Sequence, residues 1–265
     1  MKEQILSRLS TAYPWKAYFE FLPTIDSTND RLRALARSGA PEGTVLVADH
    51  QTGGHGRRGR SFHSPGGVGI YMSILLRPKC APTDLLHLTC AAAVAMCDAV
   101  EASVGFRPGI KWTNDLVFGK RKLGGILTEL GFTSRGDVDY AIIGIGINCC
   151  QKPLDFPEDI REIAGSLAMA ANRKIDRVQV TAAMMEALHH MAKNLLTEKT
   201  DLINRYRRDC ITVNQDVVLV RGDEKRYGHA LDIDQDGALV VRFSNGSTEA
   251  VNSGEVSVRG MYGYV

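Results

Sequence analysis

The stretch His50-Gln51-Thr52-Gly53-Gly54-His55-Gly56-Arg57-Arg58-Gly59-Arg60 lies between two apolar runs, residues 44–48 and 68–76. Both runs read as buried strands. A polar, glycine-rich loop tethered at both ends by such strands is a lid on a scaffold, not a tail. Gly53, Gly54, Gly56 and Gly59 allow positive φ and close approach of a ligand to the backbone. Arg57, Arg58 and Arg60 add rigid forks of donors suited to phosphate and carboxylate. The same composition also suits a solvated loop that sticks to nucleic acid, so the loop alone does not decide.

Charge weighs against a general nucleic-acid binder. The formal net charge is only +2 over 265 residues, so the arginines are a local feature. Hydrophobic residues at 44% and charged residues at 23% fit a globular chain with a real core, and the length fits one large domain or a large one with a small companion. Cys80, Cys90, Cys97, Cys149, Cys150 and Cys210 show no CxxC and no zinc-like spacing, which predicts free thiols in a reducing compartment. No signal peptide follows Met1, and no apolar run is read as membrane-spanning. The expectation is a cytoplasmic protein with no membrane partner.

Along the chain, Ile5, Leu6 and Leu9 suggest a short amphipathic helix, and residues 19–22 a strand. Asp26-Ser27-Thr28-Asn29-Asp30 precedes Leu32, Leu35 and Ala36, so it reads as a helix N-cap with Gly39 as the stop. It also offers a donor-rich helix N-terminus to anions or polar carbonyls. Residues 85–104 read as a buried helix. Residues 109–118 begin and end as strands around Lys111-Trp112-Thr113-Asn114-Asp115, and Gly119-Lys120-Arg121-Lys122 turns the chain into Leu123-Gly124-Gly125-Ile126-Leu127. That is a hairpin signal. Gly144-Ile145-Gly146-Ile147-Asn148 lacks the third glycine of a dinucleotide fingerprint and lies inside a strand-like run, and no P-loop signature occurs. Residues 177–209 are helical, with Val180, Met184, Leu188, Met191 and Leu195 on one face and His189-His190 beside it as a partly buried or surface pair rather than a metal site. Past Cys210, short strands over 217–221, 226–233, 238–243, 247–251 and 255–259 alternate with Asp236-Gly237 and Asn245-Gly246 turns. They predict a small β-barrel and a division into domains 1–209 and 210–265.

Lys120-Arg121-Lys122 alone would be a solvated hairpin tip. Followed by Gly124-Gly125, Lys122 marks a place where a ligand can lie against bare backbone. Arginines and lysines with a carboxylate and an amide, and no nucleophile paired to a base, suit reactions at a phosphate, where positioning and charge stabilisation dominate.

The ordered set DSTN (26–29), HQTGGHGRRGR (50–60), SPGG (64–67), KWTND (111–115), KLGGIL (122–127) and GIGIN (144–148) closely resembles biotin–protein ligases. The resemblance is dense over residues 20–150. It implies an α+β catalytic domain related to class II aminoacyl-tRNA synthetases and lipoate ligases, followed by an SH3-like β-barrel. It further implies two steps: biotin and ATP, with Mg2+, form biotinyl-5′-AMP, and the biotinyl group then passes to a lysine of a biotin carboxyl carrier domain of a biotin-dependent carboxylase. On this resemblance Ser27, Thr28, Asn29 and Gln51 bind the biotin head. His55, Gly56 and Arg57 close over it, Gly124 contacts it, and Lys122 reaches its carboxylate and the α-phosphate. Lys122 and Arg57 are the implied catalytic residues. Arg57, Arg58, Arg60, Lys111, Trp112, Asn114 and Asn148 make up the implied ATP and phosphate set, with Asp115 and Asn148 toward the metal.

The chain departs from the family pattern in places. His55 stands where an arginine is usual, which removes a permanent charge from the loop and makes it sensitive to pH. Thr113 replaces a usual proline, and Ser61-Phe62 lacks the common tryptophan. No tryptophan follows residue 112, which leaves Phe156 as the substitute for an adenine-stacking aromatic. The stretch before Phe19 is short for the helix-turn-helix of repressor members, so no DNA partner is expected; a homodimer stays open. Two other readings stand beside this one: a lipoate or octanoate ligase or transferase of the same fold, and a non-enzymatic nucleic-acid-binding protein.

Overall fold

A computed structural model describes residues 1–221, 224–252 and 257–260. Its first sheet contains β1 (Phe19–Ile25), β2 (Val45–Gln51), β3 (Gly69–Leu76), β4 (Gly109–Lys111), β5 (Asp115–Phe118), β6 (Arg121–Phe132) and β7 (Val138–Asn148). Their order is β1-β2-β3-β7-β6-β5-β4, with β1 parallel to β2 and every other pair antiparallel. Helices are α1 (Lys2–Arg8), α2 (Thr28–Arg37), α3 (Leu88–Val104), α4 (Leu167–Ala171), α5 (Arg177–Asn194) and α6 (Lys199–Asp209). The expected helical stretch 177–209 is therefore two helices, and α4 falls in a region with no clear helical period.

Side chains alternate across the sheet, and that alternation sorts the helices. Leu46, Leu75 and Ile142 point to the face covered by α2 through Leu32 and Ala36. Val45, Val47, Ile74 and Ile143 point to the other face, where α3 lies. β3 is buried over its whole length because both faces are covered.

The α3 helix is buried on nearly all sides, with Ala91, Ala92 and Ala93 letting α5 and α6 approach closely. Residues Pro82–Val104 are long and apolar enough, by composition, to cross a bilayer, contrary to the reading of the sequence. In the fold 72% of that window is buried inside the protein, and the segment is its core helix. His189 packs edge-on against Trp15, with ring centroids 4.8 Å apart, and so helps dock the N-terminal segment.

A second sheet follows α6. It contains β8 (Asp216–Arg221), β9 (Glu224–Ile233), β10 (Leu239–Phe243), β11 (Thr248–Val251) and β12 (Ser257–Gly260), all antiparallel, in the order β11-β10-β9-β8-β12. Its strands fall where the sequence places them, except that residues 255 and 256 lie outside the described ones. Between α6 and β8 the chain first runs along the edge of the first sheet: Cys210 bridges Ile110, and Ile211 N donates to Ile110 O at 2.9 Å.

Candidate active site

Four segments converge on one cavity of about 180 Å³. The first is the N-terminus of α2. Ser27 caps the helix, its hydroxyl accepting from Asp30 N at 3.4 Å. Gln51, at the end of β2, accepts from Thr28 N at 2.9 Å and from Thr28 Oγ1 at 3.0 Å, and its amide donates to Ser64 Oγ at 3.2 Å. Ser73, buried on β3, donates toward Thr28 Oγ1 and Asn29 Oδ1. Ser27, Thr28 and Asn29 are thus polar residues at most 5% exposed, each with a partner.

The second segment is the glycine-arginine loop, which is a tight hairpin. Phe62 N donates to Gly54 O at 2.8 Å, His55 and Ser61 bridge, and Gly56 N donates to Arg60 O at 2.7 Å. Positive φ is confined to the tip, at Arg58 (60°) and Gly59 (70°), and does not occur at Gly53, Gly54 or Gly56. This differs from the expectation that all four loop glycines would use it, because the ladder keeps the other three in ordinary backbone. Arg57 turns inward, its Nη1 donating to Thr113 Oγ1 at 3.2 Å and Asn114 Oδ1 at 3.1 Å. Burial, followed by the nearby Arg58 charge, lowers its pKa from the ordinary value. A guanidinium in such a place still carries its proton at neutral pH.

The third segment is the β5–β6 hairpin. Its register shifts between Leu116 and Val117, so that Leu116 faces Gly124 while Val117 faces Lys122. A bulge of this kind re-aims a side chain. Here Lys122 reaches back, and its Nζ pairs with Asp115 Oδ1 at 2.6 Å. The backbone of Lys122 is clasped on its other side, with N donating to Ile163 O at 2.7 Å and O accepting from Gly165 N at 2.9 Å. Lys111 to Asn114 form the adjoining wall, with a cis peptide between Trp112 and Thr113. Tyr206 Oη donates to Thr113 O at 2.8 Å, and burial keeps that phenol protonated by pushing its pKa well up.

The fourth is the floor, where Gly125 pairs with Gly146 and Leu127 with Gly144 across β6 and β7. A Cβ on residue 144 would lie 2.0 Å from Asn29 Oδ1, and one on residue 146 would lie 2.4 Å from Phe62 Cε1. Only glycine leaves room for the residues that line the cavity above them.

The expected residues Ser27, Thr28, Asn29, Gln51, His55, Gly56, Arg57, Arg58 and Arg60 line this cavity. So do Lys111, Trp112, Asn114, Asp115 and Lys122. Gly124 and Asn148 are not among the residues that line it. A Cβ on Gly124 would meet Gly146 O at 2.5 Å, so that glycine serves strand packing, and its neighbour Gly125 faces the cavity. Asn148 is 6% exposed and bonds Lys122 O and Gln151, so it braces the hairpin. Phe156 is 2% exposed and does not line the cavity, so it is not positioned to stack on a base there. The sequence motifs do not mark Phe62, Ile126, Leu127, Gly144, Ile145 or Gly146 as site residues, and only the strand register brings them in.

Similarity to known proteins agrees with this geometry. The profile of the biotin/lipoate A/B protein ligase family matches residues 21–148, and that of the biotin protein ligase C-terminal domain matches 212–259. The bifunctional ligase/repressor BirA of Bacillus subtilis is 36% identical over 223 residues, covering 84% of this chain and 68% of that protein. The biotin–(acetyl-CoA-carboxylase) ligase of Mycobacterium tuberculosis is 31% identical over 236 residues, covering 87% and 85%. The Aquifex aeolicus biotin protein ligase in complex with biotin and ATP superposes with a TM-score of 0.78 at 30% identity, covering 91% of this chain and 98% of that one.

The chain belongs to the biotin–protein ligases.

Within this ligase the departures from the family pattern acquire places. His55 lies on the cavity wall with Nδ1 3.1 Å from Gly53 O and 3.8 Å from Asp30 Oδ2, so a carboxylate faces the ring. Phe62 covers Gly146 and packs edge-on against Tyr71, with centroids 6.4 Å apart. Among the described residues no group of three or more His, Cys, Asp or Glu could hold a metal ion. Asp115 is the acidic residue among those lining the cavity.

Proposed function

We propose that this ligase joins biotin to ATP in the cavity described and passes the biotinyl group to a lysine of a carrier domain. The observation that carries the reading is the Lys122–Asp115 pair at 2.6 Å, with Arg57 lining the same cavity as the Ser27–Asn29 helix terminus and Gln51. Lys122 and Arg57 are the cationic groups of our choice for the reacting centre. In the first step a biotin carboxylate oxygen bonds to the α-phosphorus of ATP and pyrophosphate leaves. In the second the carrier amine, having lost a proton, bonds to the acyl carbon and AMP leaves.

The roles assigned to residues follow from their chemistry. Ser27, Thr28, Asn29 and Gln51 supply paired donors and acceptors for the ureido head of biotin. Lys122 stabilises charge shared between the carboxylate and the α-phosphate, which a preorganised cation does best in a site with little water. Lys111, Asn114, Arg58 and Arg60 face the remaining phosphates. Magnesium arrives with the nucleotide as part of the substrate; such an ion needs only one or two protein carboxylates besides phosphate oxygens, and Asp115 is suited to that role. The carrier is a biotin carboxyl carrier domain of a carboxylase.

Pyrophosphate exchange into ATP tests the reading, with biotin and lipoate compared as the acid. Exchange is expected with biotin and not with lipoate, followed by biotinylation of a purified carrier domain. Exchange driven by lipoate alone overturns it.

A further inference from the structure

One polar network reaches the cavity from outside it. Asn29 Nδ2 donates to Glu129 Oε2 at 2.7 Å, while Asn29 Oδ1 accepts from Ser73 Oγ at 2.5 Å. An ionised carboxylate only accepts, so the nitrogen of the Asn29 amide has to face Glu129 and the oxygen has to face Ser73. Glu129 does not line the cavity; it sits two residues beyond Leu127, which does. Its second oxygen is held by Arg33 Nη2 at 2.6 Å, and Arg33 Nη1 pairs with Asp30 Oδ1 at 2.6 Å. The other Asp30 oxygen lies 3.8 Å from His55 Nδ1. A single chain of charges thus runs from the loop through α2 to the amide on the cavity wall.

We propose that Glu129, anchored by Arg33, is a positioning residue for biotin: it sets which end of the Asn29 amide faces the bound urea ring. The proposal rests on the assignment of Asn29 to the biotin pocket. A cyclic urea presents N–H donors beside one carbonyl acceptor, so an amide turned the wrong way opposes like with like. Sites built around such pairs reject the mismatched arrangement strongly, because both buried groups lose their partners. Glu129 is remote from the reacting carboxylate and phosphate, so its effect falls on biotin binding and not on the chemical step.

Glu129→Gln keeps the shape and inverts one end. Arg33 can only donate, so it claims the new amide oxygen and leaves the nitrogen facing Asn29. Asn29 then turns its oxygen toward residue 129 and presents nitrogen where oxygen had been. Titration calorimetry of the full chain with biotin, together with steady-state kinetics, reads the consequence. Biotin affinity is expected to fall and the KM for biotin to rise about tenfold, the size of one mismatched hydrogen bond. Both kcat and the KM for ATP should stay within about twofold. In an Asn29→Ala background Glu129→Gln should add nothing, since its route to the ligand is gone. If Glu129→Gln does not fold, Glu129→Ala is the second variant: it removes the acceptor that fixes Asn29 Nδ2, and biotin affinity should again fall while kcat stays within about twofold.

An unchanged biotin affinity, an equal loss in the Asn29→Ala background, or a fall in kcat overturns the proposal. Wild-type biotin binding by Asn29→Ala itself removes Asn29 from the pocket, and that failure is distinct from the others.

Discussion

Trp112 donates its indole Nε1 to the carbonyl of Gly237 at 2.9 Å, so a residue of the cavity wall is held by a turn of the second sheet. Its backbone N is held as well, by Thr212 Oγ1 at 3.0 Å. The turn is seated on α3, where a Cβ on Gly237 would meet Cys90 Sγ at 2.5 Å. Trp112→Phe leaves the Gly237 carbonyl buried and unpaired, which should lower stability by about 1–3 kcal/mol in urea unfolding. The KM for ATP should rise with it, because Lys111 and Asn114 flank the loosened residue. A variant with unchanged ATP kinetics would show that this contact is structural only.

Lys122→Met should cut adenylation by roughly two to three orders of magnitude, the scale of losing one charge-stabilising donor. Carrier biotinylation from chemically made biotinyl-AMP should survive, since the acyl transfer step does not need the same charge. Single-turnover assays of the two half-reactions separate these outcomes, and equal losses in both would move Lys122 out of the first step.

Arg57→Gly removes the bonds from the loop hairpin to Thr113 and Asn114. The hairpin tip then closes only at the entropic cost of about 1–2 kcal/mol for each residue fixed. The variant should still make biotinyl-AMP but release it, so that lysines of an unrelated bystander protein become biotinylated. Free biotinyl-AMP and bystander label are the quantities to measure. Retention as long as in the wild type would deny Arg57 this role.

Gly144→Ala and Gly146→Ala should differ in severity. The Asn29 amide over residue 144 is held by both Ser73 and Glu129 and has nowhere to go, so Gly144→Ala should weaken biotin binding by about 10–200-fold, the range for one misplaced methyl in a fitted pocket. The Phe62 ring over residue 146 is only partly buried and can swing aside. Gly146→Ala should therefore lose much less. Equal losses in calorimetric titrations with biotin would contradict the account.

His87 gives the fold a sensitivity to mild acid. Burial lowers its pKa from the ordinary value, more than the hydrogen bond to Leu195 O at 2.9 Å raises it. Below about pH 6.5 the unfolded chain takes up this proton before the folded one does. Stability from His87 is therefore fully present above that pH and is lost as the pH falls toward the folded pKa. Urea midpoints measured between about pH 7 and 5 should fall in the wild type and fall less in His87→Gln. Parallel curves for the two proteins would place the sensitivity elsewhere.

Much of the site is legible in the sequence because its parts are short contiguous runs. Ser27 to Asn29 lie at the start of one helix, Lys111 to Asp115 span one strand end and the start of the next, and residues 50–60 make one loop. Residue types needed for anion and amide chemistry occur there side by side, and local rules for caps and turns say how they stand. The two expected residues that lie outside the cavity lining, Gly124 and Asn148, are off it by a step of strand alternation or of register. A single bulge between Leu116 and Val117 decides which residue of the Lys122–Gly125 run faces the cavity.

From residue types and periodicity alone, this chain determines its strands, most of its helices, the glycine-arginine loop tethered between two strands and a small second β unit. Those follow from forces that act over a few residues: burial alternation, capping and turn geometry. Tertiary structure alone decides that Glu129 orients Asn29 from 100 positions away, that Ser73 braces the same amide from 44, and that Gly237 holds Trp112 from 125. Such pairs exist only because the order of strands in the sheet and the packing of α3 bring distant segments within hydrogen-bond reach, and no local pattern encodes that order.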